Sequence, residues 1–535
     1  MLGGVFGVGL GLRVTAGEPS MPSSPGGLAC GERPARLSEV FPPEDRGDAA
    51  LAAELAAVDR LEGMLAAYKA ALVVEFGYRR PAARDVPAGR PGAARPGDRL
   101  DAAGRPEPVE TSEFLADELA LILNCSRLHA STLIGESFTL RRTLPDTWAA
   151  AADGALDRRR ARGLAAELGG PATAGTDPAV LAAIEAALLP IAGEVSVRRL
   201  RELARRELLA RDPAAADRRR RVSERAADAA LRQARDGCAE LSVFTATDRA
   251  AAIHDAVDRY ARMRRADGDH RPIGQIRVEV LADLVLRPWD TSRPAVTATV
   301  TVLAPLGALT PRATPGDAPP PGVPRPPRVL WPPAELGGQP ITAAQLRALL
   351  EAVEALCPGG LHPPAGGSLS YALTDPDGGV RAVLDHAELR RLARRGCPDH
   401  PAGDCGCPLA DRPPQIDRYR PSTAQCGFVK TRDRTCRHPG CANRAGWADL
   451  DHVLPHARGG PTACENLCCL CRRHHRLKTH TRGWSFAMTD DGLLSVTTPT
   501  GITRTTRPPG QIDATIAEAA ARHSNGPPDD DPPPF

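Results

Sequence analysis

Residues 469–480 read CLCRRHHRLKTH. Two histidines stand side by side, three and four residues past Cys471, in a stretch dense in arginine and lysine. On a helix, at about 100° per residue, Cys471, His474, His475 and Lys478 share one broad face. His474 and His475 are still one step apart around the axis, so the two imidazoles can face different partners. Cysteine and histidine three apart at a helix start form half of a tetrahedral zinc site. Upstream, Cys436-x4-Cys441 turns through Pro439 and Gly440 and points two more thiolates one way. The reading is a structural zinc held by Cys436, Cys441, Cys471 and His474. Cys468-x2-Cys471 leaves an all-cysteine alternative, with Cys436 and Cys441, open. Cys464, Cys468 and Cys469 otherwise read as small buried apolar residues.

Between the two halves, WADLDHVLP (447–455) reads as a strand ending in Asp451-His452. ARGGPTACEN (457–466) reads as a loop that turns at Gly459-Gly460 and ends at Asn466. His474 is expected to look back to the cysteines and His475 forward to the Asp-His strand. Ser422 and Gln425 have the spacing of a capping box for a short helix before the first cysteine. Asp449 reads as a salt-bridge partner rather than a ligand. His438 and His456 read as exposed polar residues.

Asp-His, Gly-Gly, Asn-Leu and Cys-x2-His-His-x2-Lys, in that order, resemble the HNH endonuclease motif with its ββα-metal fold. With the helical region before it, the chain resembles an actinobacterial type in which a helical domain of unknown function precedes the HNH domain. The resemblance implies a hydrolase that cuts phosphodiester bonds in DNA. His452 would be the general base, Asp451 and His475 would hold a catalytic Mg²⁺ or Mn²⁺, and Asn466 would steady the loop that orients His452. Arg472, Arg473, Arg476 and Lys478 would grip phosphates. The competing reading is a zinc-containing DNA-binding protein without catalysis, which has no need of Asp451, His452, Asn466 and His475 together.

Working outward, 535 residues are too many for one core. Aromatics are 4%, against 50 glycines and 53 prolines, so long pieces read as linker or tail. The expected fold is α+β. A disordered N-terminus (1–40) leads into a mainly helical domain (41–395), interrupted by a linker at 79–108 and a proline-rich loop at 311–333. A linker (396–420), the zinc-stabilised nuclease domain (421–500) and a disordered tail (508–535) follow. Within the helical domain, 48–78 reads as a helix and 202–235 as a basic pair of helices. Residues 295–305 read as a strand, 341–356 as a helix capped by Thr342, and DPDGG (375–379) as the turn of a hairpin followed by a helix.

Net charge is only +3, but between Arg420 and Arg482 twelve Lys/Arg stand against four Asp/Glu, a local surplus suited to a phosphate backbone or to a solvated face. Seven of the 14 cysteines lie between Cys426 and His480, with six of the 13 histidines. Mixed clustering favours metal over disulfides and so a reducing compartment. Cys397, His400, Cys405 and Cys407 form a permissive second zinc set. The opening MLGGVFGVGLGL lacks the basic start of a signal peptide, and no run reaches 18 apolar residues. A cytoplasmic protein with no membrane partner is expected.

Overall fold

The fold was taken from a computed structural model, which describes the chain chiefly over 42–94, 110–286, 370–395 and 410–509, with short pieces between. The chain divides into two compact units, 1–59 and 60–535. The described part of the first holds a short turn of 3-10 helix at Pro43–Asp45 and the opening of helix α1, Asp48–Tyr78. The rest concerns the second unit.

Its helices are α2 (Leu115–Leu123), α3 (Arg127–Arg142), α4 (Pro145–Ala152), α5 (Arg158–Leu168), α6 (Pro178–Ala192) and α7 (Val197–Arg211). Their starts are written in the sequence. Ser126, Asp157, Asp177 and Ser196 each accept a backbone N–H of the first turn, and Pro178 takes the first helical position of α6, where no N–H is needed. Leu144, Leu164, Leu168, Ile184, Leu200 and their neighbours form one buried core among α4–α7. A second core joins the end of α1 to α2 and α3 through Val73, Val74, Leu119, Ile134 and Phe138.

The basic stretch 202–235 is only half helical. After α7 the chain forms strand β1 (Asp228–Gln233), paired antiparallel with β2 (Ala239–Phe244). Alanine-rich DAALRQ has helical propensity, but ladder hydrogen bonds to the more β-prone AELSVF override it. Helices α8 (Thr247–Ala266) and α9 (Ile273–Leu286) follow and pack through Val257, Ala261, Ile276 and Val280. Strand β3 (Val302–Leu303) is the described part of the strand expected at 295–305. It pairs with β4 (Ala334–Leu336), which pairs with β5 (Gln339–Ile341). Helix α10 (Ala343–Ala352) starts at Thr342, which exchanges hydrogen bonds with Gln345. Strands β6 (Leu356–Cys357) and β7 (Gly360–Leu361) precede the hairpin of β8 (Ser370–Thr374) and β9 (Val380–Asp385), and helix α11 (His386–Arg395). The proline-rich loop and the Cys397, His400, Cys405, Cys407 set lie outside the described residues.

From residue 410 a smaller arrangement begins. Helix α12 (Thr423–Asp433) opens on the capping box: the Gln425 backbone N–H donates to Ser422 Oγ (3.2 Å), and the Ser422 backbone N–H donates to Gln425 Oε1 (2.9 Å). Strand β10 (Asp449–His452) pairs antiparallel with β11 (Leu467–Leu470), setting Asp451 opposite Cys468 and His452 opposite Leu467. Helix α13 (Arg472–His480) follows at once, with Cys471 as its N-cap. A three-stranded sheet then closes the piece: β12 (Ser485–Met488), β13 (Leu494–Thr497) and β14 (Thr503–Thr506). The whole is mostly helical with small antiparallel sheets, in keeping with α+β.

Beneath β11 lies a polar staple. Buried Asp433 accepts Arg432 Nε (2.8 Å), Arg437 Nη1 (3.0 Å) and the Cys469 N–H (2.8 Å). Arg432 continues to the carbonyls of Cys464 and Leu467, and Arg437 to those of Gly492 and Thr506. These guanidiniums were counted in the local positive surplus. They are buried, so part of that charge holds α12, β11 and the last sheet together instead of facing solvent.

Candidate metal centre and its flanking carboxylate–histidine cluster

Cys436, Cys441, Cys471 and His474 bring their donor atoms within 4.8 Å of one another. His474 Nδ1 lies 3.3 Å from Cys436 Sγ and 3.2 Å from Cys471 Sγ. The described cysteines are free rather than disulfide-linked. Hydrogen bonds among the crowded thiols push Cys436 well above the ordinary thiol range, with burial adding to it, while the Cys436 and Cys441 thiols push Cys471 well down. Three sulfurs packed so closely cannot all ionise without a cation among them. The donor set and its spread fit a tetrahedral zinc, whose sulfur ligands sit about 2.3 Å from the ion. Cys468, on β11, is buried in one apolar cluster, Cys469 on the same strand and Cys464 in the loop before it are buried in another, and burial raises their thiols, to about 11 for Cys464 and about 12 for Cys468. The all-cysteine alternative therefore lacks its fourth ligand.

His438 is buried, contrary to its expected exposure. Its ring stacks on His474 at 3.8 Å between centroids and 4° between planes. Burial first, and the neighbouring His474 second, push its pKa down to about 3.

On the adjoining face of α13, His475 meets β10. Its Nδ1–H donates to Asp449 Oδ2 at 2.8 Å, and its Nε2 lies 3.6 Å from Asp451 Oδ1. The two neighbouring imidazoles thus use opposite nitrogens: His474 turns Nδ1 to the thiols, His475 turns Nε2 to Asp451. Asp449 is an ion-pair partner of His475 and Arg472, as its position suggested. Lys478 Nζ bonds Asp451 Oδ2 (2.7 Å) and the His452 carbonyl (2.6 Å).

His452 is buried at the strand end, where burial pushes its pKa below the ordinary 6.5. Its Nε2 is hydrogen-bonded to Thr462 Oγ1 at 2.9 Å, and Tyr419 stacks on its ring at 5.4 Å. The exposed His456 stands edge-on at 5.6 Å. Thr462 and Tyr419 are not recoverable from spacing, because hydroxyl and phenol side chains in loops carry no pattern. Asn466 braces the loop: Oδ1 accepts the Leu454 N–H (2.8 Å), and Nδ2 donates to the carbonyls of Leu454 (3.0 Å) and Pro461 (2.9 Å). Gly460 is required there, since a Cβ would collide with the Leu454 carbonyl.

Two of the four expected phosphate grips are otherwise engaged. Arg473 donates to Asp117 Oδ2 (2.8 Å) and to the Glu113 carbonyl; Arg476 pairs with the Glu113 carboxylate and donates to the Gly92 carbonyl (2.8 Å). Arg476 is 4% exposed. The expectation for this pair is corrected: burying a guanidinium requires a carboxylate close by, and α2 and the segment before it supply two. Lys478 is held by Asp451, and Arg472 remains exposed, 3.6 Å from Asp449. On the other side of the centre, Asp117 is fully buried and accepts His474 Nε2–H at 3.1 Å. Burial alone would raise its carboxyl, but Arg473 and His474 hold it well below the usual range.

Residues 88–352 match the family model of a domain of unknown function, DUF222. The DUF222 segment covers a little under half of the chain and contains α2–α10. The uncharacterized protein Rv3776 of Mycobacterium tuberculosis strain H37Rv is 48% identical over 94 residues, 18% of this chain and 18% of its own length. A second uncharacterized protein of that strain, Rv2100, is 41% identical over 150 residues, 28% of this chain and 26% of its own. The chain therefore spans about a quarter of these curated relatives at most. No solved structure matches the chain. No helix among the described residues is long and apolar enough to cross a membrane.

Proposed function

We propose that the C-terminal module is an HNH-type endonuclease of the ββα-metal fold, hydrolysing phosphodiester bonds in DNA, with the DUF222 segment as its helical partner. The observation that carries the reading is the pairing of His475 Nε2 with Asp451 Oδ1 at 3.6 Å, beside a buried His452 whose Nε2 is already hydrogen-bonded. A small divalent cation sits roughly 2.1 Å from each ligand, so two donors at that separation can share one. Asp451 and His475 would hold Mg²⁺ or Mn²⁺, which would neutralise the scissile phosphate and stabilise the leaving 3′ oxygen.

The remaining work belongs to the chain. Thr462 holds His452 by Nε2, which leaves Nδ1 to take a proton from the attacking water. Burial keeps that imidazole neutral and so ready to accept. Asn466 fixes the loop behind it. Asp449 holds the Nδ1 proton of His475 and so presents Nε2 toward Asp451. Lys478 offsets one Asp451 oxygen and fixes the His452 backbone, a positioning role in place of the phosphate grip first expected. A DNA-binding module without catalysis would need the zinc cluster, but not this second layer of hydrogen bonds around His452 and His475.

The test is cleavage of supercoiled plasmid by the full chain with Mg²⁺ or Mn²⁺, stopped by EDTA. His452→Ala should abolish cutting and keep its zinc content. A mutant that cuts like wild type overturns the assignment.

A further inference from the structure

We propose that Asp117 is the positioning residue of the metal ligand His474, so that the structural metal site is completed by a carboxylate from the helical domain 357 residues away in sequence. This rests on reading Cys436, Cys441, Cys471 and His474 as a zinc set.

His474 faces the thiol sulfurs with Nδ1, at 3.2 and 3.3 Å. To ligate there, Nδ1 must carry the lone pair and Nε2 the proton. Asp117 Oδ1, 3.1 Å from Nε2, accepts that proton and fixes the tautomer. The carboxylate is itself anchored by Arg473, at 2.8 and 3.0 Å, and by Arg127 at 3.5 Å. His438, stacked at 3.8 Å, limits rotation of the ring plane. A ligand imidazole hydrogen-bonded to a carboxylate is a more basic ligand held in one orientation.

The same helix face carries a second contact to the centre. Leu121, one turn on from Asp117, is 2% exposed and packs with Cys436, Cys471 and Leu494. Arg504 Nε donates to its carbonyl at 2.9 Å. Helix α2 therefore supplies an acceptor to His474 and an apolar wall to two of the thiolates. Zinc affinity and the seating of α2 are linked: whatever stabilises one favours the other.

Two measurements test this on the full chain. In the zinc-loaded protein, ¹⁵N-histidine NMR should show His474 with a protonated Nε2 and a metal-bound Nδ1; metal at Nε2 would overturn the proposal, whatever any variant does. In competition with a chromophoric chelator, Asp117→Asn should weaken zinc binding ~10–100-fold, while Glu113→Gln, which breaks the adjacent pair to Arg476 without touching His474, should stay within about threefold of wild type. An unchanged Asp117→Asn, or a Glu113→Gln that loses as much, would sink it, the latter by tracing the loss to domain contact in general. A wild-type chain that takes up no zinc would instead overturn the metal assignment itself, and this inference with it.

Discussion

Thr462 and Arg476 show how far a side chain's neighbours outrank its type. Thr462→Val keeps the shape of the residue but removes the hydroxyl that holds His452 Nε2. Cleavage should slow by about 10–100-fold, part of the ~10²–10⁴ that a general base supplies, with zinc content unchanged. Single-turnover rates on plasmid, alongside elemental analysis, check this. The arginines of α13 divide by exposure. Arg472→Ala should weaken DNA binding and lower the salt dependence of log K by about 1, as loss of one phosphate contact does. Arg476→Ala should leave that slope alone and cost about 3–5 kcal/mol of stability, because the buried Glu113 carboxyl loses the arginine that pairs with it. Salt titrations of binding and denaturant melts separate the two. Sequence spacing picked out the three cysteines and His474 that come together, since ligand geometry demands fixed intervals. It could not sort the arginines, because charge counts do not report which guanidiniums turn inward.

At the scale of elements, Glu167 ties α5 to α7 through Arg201 (2.8 Å) and Arg205 (2.7 Å). Burial opposes its ionisation, yet the two arginines hold its pKa below the ordinary 4.5. The sign follows: the folded state binds this proton less readily than the unfolded chain, so its stabilisation is full above 4.5 and is lost as pH falls through the lower folded value. Thermal unfolding of Glu167→Gln should therefore show a shallower loss than wild type as pH falls below 4.5. Around the Cys3His cluster, Cys441→Ser should lose about one zinc per chain and loosen residues 430–480, read by elemental analysis and hydrogen exchange. Helix α1, the Thr342 cap, the capping box at Ser422, the β8–β9 hairpin and the β10 strand were legible, because periodicity and caps are local signals. The β1–β2 hairpin was not, its alanine and arginine reading as helix until a partner strand is known. Strands β12–β14 were passed over for a related reason: each has four residues, too few for alternation to stand out.

For the whole molecule, removing zinc should be felt beyond its ligands. A strong chelator is expected to raise proteolysis both within 430–480 and around α2, whereas withdrawing Mg²⁺ should stop cutting and leave the digestion pattern unchanged. Limited proteolysis followed by mass spectrometry reads both. The predominance of helix and the Cys/His cluster near the C-terminus were legible in composition and motif. Their joining through Asp117 was not, since nothing in the text of α2 marks one aspartate as the neighbour of a histidine hundreds of positions later.

Gly92, with φ at +91°, closes against the end of α13 so tightly that any Cβ would strike the His480 ring, and its carbonyl takes Arg476. An engineer wishing to excise residues 410–509 as a minimal module would strip Glu113, Asp117, Leu121 and this glycine from one side of it. The fragment would lose the carboxylates that meet Arg473, Arg476 and His474 and would bare an apolar seat, so transplanting the module means transplanting its handle.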